Sequence, residues 1–384
     1  MQVIEFKEFG SPSQLHLAER PLPQANASSA VVRVEAVSVN PSDVKNVAGR
    51  MSQTTLPRIP GRDYSGVVVD GPEEWINQAV WGTGGDVGFT RDGSNAEYIQ
   101  VPVASLVRMP EALSYEQAAC VGVTFVTAWC ALNYAKLSEG ETLAVFGANG
   151  GVGGAAIQIA KHLGAHVIGI HRGEPGGATP AAKLADILID SSDPVMGSLL
   201  RAHTGGRGAD VIFNAAGGPV FGIALGLLAH GGRQVEITSP TDRRVTLDLV
   251  DFYHNESQLL GVDTLKRDLT ASGRILEDLR PGFDSGIYQP PVISKSMPLA
   301  QARQAYELVA KGEIEAGIVV VTQILTTPGV QLVGSLPDEL QYYVVFVGAV
   351  STKSSASGPA RDLLLFLTGP QALPIIKSQG MEPG

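Results

Sequence analysis

Leu143-Ala-Val-Phe-Gly147-Ala-Asn-Gly150-Gly-Val-Gly153-Gly154 is the stretch of this sequence that decides the fold. An apolar run leads into glycines, and an Ala-Ile-Gln-Ile-Ala helical pattern follows that Gly164 closes. A second apolar run at residues 166–170 comes next. Strand, glycine turn, helix and strand in this order predict a βαβ unit that binds a dinucleotide.

The chemistry of a dinucleotide explains why glycines are needed at this turn. A pyrophosphate binds to free N–H groups at the positive end of a helix, and a side chain at the turn would block its approach. A tight turn alone would explain one or two glycines. A nucleoside triphosphate loop is excluded, because no Lys-Ser or Lys-Thr pair follows. The predicted cofactor-binding residues of the turn are Gly147, Ala148, Asn149, Gly150, Gly151, Val152 and Gly153.

The regions on either side of this unit differ in pattern. Up to about residue 120 the chain has short extended runs broken by Gly, Pro and Asn, which predicts a β-rich domain. In residues 30–39 the apolar positions change parity, which indicates a β-bulge. From Gly140 apolar runs alternate with Ala-rich helical segments, so we expect a parallel sheet with covering helices. The fold class is therefore α/β, with a β-rich domain and a doubly wound parallel sheet.

Individual elements follow from the same patterns. Predicted strands cover residues 30–39, 64–70, 79–82, 96–103, 143–146, 166–170, 211–213, 234–237 and 317–321, and predicted helices cover residues 152–163 and 298–311.

Composition excludes several classes of protein. The 384 residues carry 28 Lys+Arg against 38 Asp+Glu, a formal net charge of −10, which disfavours nucleic acid and anionic membranes as partners. Cys120 and Cys130 are too few for a disulfide framework or a four-thiolate zinc site. No secretory signal is readable, and the apolar runs at 119–135 and 211–229 are rich in small residues typical of buried elements. We therefore expect a cytoplasmic location.

Cofactor choice is read about 20 residues after the glycines, at the end of the second strand. His171-Arg172 stands there, and a guanidinium suits a 2′-phosphate in charge and geometry. We therefore predict NADPH, while Glu174 leaves NADH open and Arg172 could also be an ordinary solvated side chain. Asn214, Ala215, Thr238 and Ser239 follow later strands, where further dinucleotide contacts are expected.

Residues 1 to about 321 resemble the medium-chain dehydrogenase/reductase superfamily, in its zinc-free quinone oxidoreductase branch related to zeta-crystallin. The resemblance rests on Val39-Asn-Pro-Ser-Asp43, Ile59-Pro-Gly-Arg-Asp-Tyr-Ser-Gly66, Gly122-Val-Thr-Phe-Val-Thr-Ala-Trp129 and the glycine turn. It implies a GroES-like catalytic domain at 1–120, a Rossmann domain at 121–280, a return segment at 281–321 and substrate entry between the domains. It also implies a homodimer.

The resemblance also suggests how the site works. Zinc-dependent relatives have a cysteine where this chain has Asn40, and a His-Glu pair where it has Arg62-Asp63, so the catalytic zinc has lost its ligands. Without a Lewis acid, hydride addition to a quinone or an α,β-unsaturated carbonyl is the feasible reaction.

The same resemblance assigns roles to single residues. Asn40 would hydrogen-bond the substrate carbonyl and Ser42 would relay a proton. Thr127 and Val152 would contact the nicotinamide, although simple packing between a helix and a sheet would also explain either residue. Tyr64 is a weak candidate for an acid. Asn-Pro-Ser-Asp is equally typical of a local turn, so a structural role for Asn40 and Ser42 stays open beside the catalytic one. A dinucleotide-binding sensor or structural protein without turnover is the alternative function.

The last part of the chain runs from Gln323-Ile-Leu-Thr-Thr-Pro-Gly-Val-Gln-Leu-Val-Gly334-Ser-Leu-Pro337 through Gly369-Pro-Gln-Ala372 to Gly380-Met-Glu-Pro-Gly384. With these motifs, residues 322–384 resemble the C-terminal segment of periplasmic molybdate-binding-like solute-binding proteins. Most of both lobes of such a protein is missing, so anion binding is not expected, although a solute-responsive protein stays a third reading. We predict a strand at 342–350 and an amphipathic helix at 360–367 that docks on the catalytic domain or a neighbouring subunit.

Overall fold

The computed structural model describes residues 1–173, 177–239, 243–313 and 317–320, all of them in one compact unit, Met1–Thr322. The predicted strand at 342–350, the predicted helix at 360–367 and Glu174 lie outside the described residues.

The strands are β1 Gln2–Glu5, β2 His16–Glu19, β3 Ser29–Val39, β4 Tyr64–Asp70, β5 Ala79–Gly82, β6 Tyr98–Pro102, β7 Val107–Arg108, β8 Thr142–Phe146, β9 His166–His171, β10 Ile187–Asp190, β11 Ala209–Asn214, β12 Leu228–Glu236, β13 Gln258–Gly261, β14 Ser296–Pro298 and β15 Gly317–Val320. The α-helices are α1 Pro41–Val47, α2 Tyr115–Ala119, α3 Gly122–Tyr134, α4 Gly151–His162, α5 Met196–His203, α6 Phe221–Leu225, α7 Leu249–His254, α8 Leu269–Asp284 and α9 Ala302–Lys311.

A seven-stranded sheet, in the order β14-β15-β3-β4-β5-β7 with β6 also paired to β3, forms a β-rich lobe. Its central strand β3 is paired along its length, and its apolar side chains, Val32 and Val34 among them, are completely buried. The β3–β4 register shifts between Val34 and Ala36, so the bulge predicted from the parity change is confirmed.

A six-stranded parallel sheet, in the order β10-β9-β8-β11-β12-β13, forms the second lobe. In its central strand β8, Leu143 and Val145 belong to one apolar cluster, and Ala144 and Phe146 belong to another. Successive side chains of a strand point to opposite faces, so this sheet is covered on both sides. The predicted α/β class, with a β-rich domain and a doubly wound parallel sheet, is confirmed.

Helix α8 joins the two lobes through aromatic side chains. The Phe283 ring packs edge-on against Trp81 of β5 at 5.7 Å and against Phe125 of α3 at 4.8 Å, measured between ring centroids. All three side chains are almost completely buried. Burial of a phenylalanine side chain contributes about 1.5–3 kcal/mol, so this cluster ties the parallel sheet to the β-rich lobe.

After α8 the chain returns to the β-rich lobe, where β14 and β15 join the sheet of β3. β15 pairs antiparallel with β3, and β14 pairs parallel with β15. Asn95 Nδ2 donates to Tyr306 Oη at 2.9 Å, which fixes α9 to the β-rich lobe. The helix predicted from residue 298 begins later, at Ala302, because residues 299–301 form a 3₁₀ turn. Among the described helices, none combines the length and the apolar character needed to cross a bilayer.

Candidate functional site

The glycine turn between β8 and α4 has the geometry that its sequence predicts. Gly147 has φ +85°, a left-handed conformation that favours glycine. A Cβ at Gly153 would overlap the carbonyl oxygen of Gly147, so the first turn of the helix is packed directly on the strand end. A side chain at either position would force the turn to move.

Free amide groups point from this turn. Gly150 is the N-cap of α4 and offers no side-chain acceptor. Within the described residues the N–H groups of Gly151, Val152 and Gly153 find no acceptor. Free amides at the N-terminus of a twelve-residue helix attract an anion. The site therefore fits a dinucleotide pyrophosphate. Ala148 is buried beneath the turn, and Asn149 Oδ1 accepts a hydrogen bond from Thr179 N at 3.0 Å.

The residues predicted to contact the 2′-position of the cofactor's ribose lie at the end of β9. His171 is the last residue of the strand, and Arg172 after it is exposed. Asp190, which ends the neighbouring β10, accepts a hydrogen bond from Gly173 N at 2.9 Å. Hydrogen bonds from Ser192 and Gly173 hold the pKa of the Asp190 carboxyl below its usual value. Asp190 therefore anchors the backbone beside Arg172, a role that the sequence did not reveal.

The four residues predicted after later strands gather at the same sheet edge. Asn214 Nδ2 donates to both carboxylate oxygens of Glu236 at 2.9 Å, and Ala215 N donates to Phe146 O at 3.0 Å. Ser239 Oγ accepts from Gly218 N at 3.3 Å. Partial burial raises the pKa of Glu236. The carboxyl ends of β8, β11 and β12 thus form one polar edge, where open parallel sheets bind ligands.

A lysine connects this edge to the other lobe. Lys45 Nζ, on α1, donates to Thr238 Oγ1 at 3.2 Å, and burial lowers the pKa of Lys45. Because Asn40 caps α1 and Ser42 lies in its first turn, this contact brings the predicted catalytic residues towards the predicted cofactor edge. Sequence analysis missed Lys45. Its position three residues after Ser42 was the available signal.

Thr127 lies at the junction of the lobes. It is a buried residue of α3, and its Oγ1 lies 3.3 Å from Thr264 Oγ1. A Cβ at Gly151 would lie 3.0 Å from Thr124 Cγ2, so α3 packs closely on the glycine turn. Val152 packs partly buried against the same apolar cluster as α3. Helix α3, which carries Thr127, thus packs through Thr124 on the turn that fits the pyrophosphate, and Val152 belongs to that turn.

Asp63 is the centre of a buried hydrogen-bond cluster that the sequence did not predict. Its Oδ2 accepts from Ser38 Oγ at 2.8 Å and from Asn40 Nδ2 at 3.0 Å, and its Oδ1 accepts from Val123 N at 3.0 Å. Asn40 Nδ2 also donates to Ser38 Oγ at 2.9 Å, so both of its hydrogens are used. Ser42 Oγ is buried and has no partner among the described residues.

Tyr64 is not brought together with the other predicted residues. Its side chain is completely buried in the core of the β-rich lobe, and its hydroxyl finds no partner among the described residues. Burial raises the pKa of this phenol well above its usual range. At this position Tyr64 packs in the core rather than donating a proton, and nothing in its described surroundings supports the predicted acid role.

The residues present do not fit a catalytic zinc ion. The described part of the chain contains no group of three or more His, Cys, Asp or Glu side chains that could hold a metal. The amide of Asn40 and the carboxylate of Asp63 are bonded to each other, and the Arg62 cation stands beside them. A positive guanidinium repels a metal cation.

Three family models match the chain. The alcohol dehydrogenase GroES-like domain matches residues 26–111, and the zinc-binding dehydrogenase model matches residues 151–276. A bacterial extracellular solute-binding protein model matches residues 270–382. This last match begins about fifty residues before the predicted start at 322, and overlaps α8, α9 and β15, which the structure builds into the two lobes.

Known proteins resemble the chain over most of its length. A zinc-type alcohol dehydrogenase-like protein of Schizosaccharomyces pombe is 34% identical over 273 residues, covering 70% of this chain and 80% of the relative. The quinone oxidoreductase of Homo sapiens is 29% identical, covering 83% and 96%. A solved NAD-dependent alcohol dehydrogenase has a TM-score of 0.76 at 28% identity, covering 84% of this chain and all of its own. A solved alcohol dehydrogenase superfamily protein from Novosphingobium aromaticivorans has a TM-score of 0.75 at 26% identity, with the same coverages.

Proposed function

The chain belongs to the medium-chain dehydrogenase/reductase superfamily, and from this premise we propose that it is an NADPH-dependent reductase of quinones or α,β-unsaturated carbonyls. One observation carries the proposal. The uncapped amides of Gly151 to Gly153 lie at one edge of the parallel sheet. At the same edge Lys45, which belongs to the helix that carries Ser42, donates a hydrogen bond to Thr238. One hydrogen bond therefore joins the edge with the predicted dinucleotide turn to the helix that carries the Ser42 hydroxyl, which has no partner among the described residues, and this supports a site between the two lobes.

The proposed direction of the reaction rests on the side chains around Asn40. Alcohol oxidation is disfavoured without a metal to stabilise the alkoxide, and Asn40, Arg62 and Asp63 do not fit one. A conjugated acceptor already delocalises the negative charge that hydride addition creates. The similarity to quinone oxidoreductases supports this class of acceptor.

The reduced nicotinamide supplies a hydride at its C4 position when it is bound. The amides of residues 151–153 would bind the pyrophosphate, Thr127 would contact the nicotinamide, and Arg172 would bind the 2′-phosphate. Asn40 holds Asp63 and Ser38 in place, because both of its amide hydrogens are used there. The Ser42 hydroxyl, which has no partner in the described part of the chain, is the better candidate for proton delivery.

The first experiment measures turnover. Purified full-length protein is mixed with NADPH and a panel containing a naphthoquinone, phenanthrenequinone, an alkenal and a cyclic enone, and loss of nicotinamide absorbance is followed. Turnover of at least one acceptor is the expected result. Tight NADPH binding without turnover of any acceptor would instead favour the dinucleotide-binding sensor.

Cofactor choice is tested at Arg172, because one solved relative is described as NAD-dependent and the argument for NADPH rests on this side chain. Arg172→Asp replaces charge-assisted hydrogen bonds to the 2′-phosphate with repulsion. The ratio of kcat/KM for NADPH to that for NADH should fall by about tenfold or more. Arg274→Asp makes the same charge change at an exposed position of α8 and should leave the ratio unchanged. An unaltered ratio in Arg172→Asp would remove the basis for NADPH.

A further inference from the structure

Arg62 is a buried cation whose hydrogen-bonding capacity is mostly unused. The residue is 3% exposed, and Phe89 covers the guanidinium with its ring centroid 5.7 Å from Cζ. Nε donates to Gly84 O at 3.0 Å, and this is the hydrogen bond that the guanidinium makes within the described residues. An arginine has five N–H donors, so four are left without an acceptor there.

The surrounding carboxylates do not use these donors. Asp63, Asp43, Asp263 and Asp86 lie close enough to act on the charge of Arg62, yet none forms an ion pair with it among the described contacts. Asp63 accepts from Ser38, Asn40 and Val123, and Asp43 accepts from Asn40 N. Asp263 accepts from Leu265 N, and Asp86 accepts from Leu269 N and pairs with Arg91.

Such an arrangement is costly unless something compensates for it. Burial of a guanidinium without a bidentate partner costs several kcal/mol, and desolvation lowers the pKa of Arg62 accordingly. Nearby negative charge offsets part of this cost without occupying the N–H groups. The fold thus keeps a cation in place and leaves its donors available for an oxygen atom that the described residues do not supply.

Arg62 lies where the two lobes meet. Its partner Gly84 is followed by Gly85, whose N–H donates to Arg267 O at 2.6 Å in the other lobe. The same segment of that lobe contains Thr264, whose hydroxyl contacts Thr127. One short segment, residues 264–267, therefore touches both the loop that holds Arg62 and the residue assigned to the nicotinamide.

We propose that Arg62 is a catalytic residue whose free N–H groups bind the carbonyl oxygen of the quinone or enone and stabilise the negative charge that this oxygen acquires. The proposal rests on the proposed function. In an enone, the β-carbon accepts a hydride with its electron pair from the reduced nicotinamide, which becomes oxidised. The C=C electrons shift to give an enolate, and Arg62 holds the enolate oxygen. The α-carbon then takes a proton from Ser42 or solvent, and the C=O bond re-forms.

The kinetic test compares Arg62→Gln and Arg62→Lys with a matched control. Arg58→Gln removes a largely buried arginine of the same lobe whose donors are occupied by Thr55 and Asp92. Loss of an oxyanion donor costs about 10²–10³-fold, so kcat/KM should fall by that factor in Arg62→Gln. Arg62→Lys should fall less, NADPH affinity should be unchanged, and Arg58→Gln should be nearly as active as the parent. A loss of less than about threefold in folded Arg62→Gln overturns the proposal.

A series of aryl enones with graded ring substituents separates catalysis from folding. If Arg62 stabilises the oxyanion, kcat/KM of Arg62→Lys should depend more steeply on electron withdrawal than that of the parent. The same dependence in both would overturn the proposal, even if Arg62→Gln does not fold.

A binding experiment is independent of turnover. A nitrophenol bound beside Arg62 should ionise at lower pH than in solution, and this shift should disappear in Arg62→Gln or shrink in Arg62→Lys, but persist in Arg58→Gln. No shift in the parent protein overturns the proposal for Arg62. If the parent shows the shift but reduces no acceptor, the reductase assignment fails while the oxyanion site stands.

Discussion

Asp43 shows how strongly burial can act on a single residue. Its side chain is completely buried, Oδ2 accepts from Asn40 N at 2.8 Å, and Oδ1 has no partner in the described part of the chain. Desolvation raises the pKa of this carboxyl to about 7, although Asn40 and the charge of Arg62 act in the opposite direction. The folded protein therefore holds a proton on Asp43 at a pH where the unfolded chain has lost it.

This pKa gives a stability prediction with a defined sign. An unfolded aspartate has a pKa of about 3.9, so between about pH 4 and pH 7 the folded state binds more protons on Asp43, and stability due to this group falls as pH rises. Asp43→Asn removes this dependence. The free energy of unfolding of the variant relative to the parent should increase by up to about 4 kcal/mol between pH 4 and pH 8, measured with urea. Exposed Asp278→Asn should show no such change, and parallel pH profiles for Asp43→Asn and the parent would contradict the assignment.

At the residue scale the sequence predicted some positions and not others. Asn214, Ala215 and Ser239 could be predicted because each lies at or just after the end of a strand of a parallel sheet, and these strand ends share an edge. The contact between Lys45 and Thr238 could not, because it joins residues 193 positions apart across two lobes. The free donors of Arg62 likewise depend on the hydrogen-bond partners of four carboxylates, three of which are remote from Arg62 in the sequence.

At the element scale, the glycine turn gives a sharp prediction. In Gly153→Ala the new Cβ would overlap Gly147 O, which is backbone and cannot rotate away. We expect a loss of about 1–3 kcal/mol in the free energy of unfolding and about tenfold or more weaker NADPH binding, measured by urea unfolding and fluorescence titration.

The matched control is Gly222→Ala. Gly222 also lies in the first turn of a helix, and a Cβ there meets no atom within 4 Å. Its stability should change by less than about 1 kcal/mol, and NADPH binding should not change. Equal effects of the two substitutions would mean that close packing at Gly153 is not what shapes the turn.

Elements with a strong local pattern were predicted most accurately. β8, α4 and β9 begin and end within one residue of their predicted bounds, because the glycines and the apolar runs mark each boundary. The strand predicted at 96–103 is shorter, Tyr98–Pro102, because Ala96 makes an isolated bridge to Val3 instead. Helix α9 begins four residues late, since the pattern does not distinguish an α-turn from a 3₁₀ turn.

At the scale of the whole molecule, all described strands and helices lie before residue 321. A chain that ends at Thr322 should therefore keep both sheets, with a thermal midpoint and NADPH affinity equal to those of the full chain. A chain that ends at Glu313 lacks β15. Without this strand β14 loses its connection to β3, and one edge of β3 is exposed. An unpaired edge of this length favours aggregation, so soluble yield should fall strongly.

The outcome of this comparison is read by size-exclusion chromatography, thermal unfolding and fluorescence titration. Instability of the chain ending at Thr322 would show that residues 323–384 contribute to the fold. The sequence predicted a docked C-terminal helix at 360–367, and that interpretation remains a prediction, as does the homodimer. Neither follows from local patterns, because both depend on which surfaces meet after the lobes have formed.

The pairing of β3 with β15 has a consequence for biosynthesis. All six strands of the parallel sheet have been synthesised once Gly261 has been translated. The sheet that contains β3 still lacks the strand β15 until Val320 has left the ribosome. The middle part of the chain can therefore fold during translation, whereas the N-terminal sheet cannot be completed until about sixty further codons have been translated. A nascent chain of this protein completes its middle before its beginning.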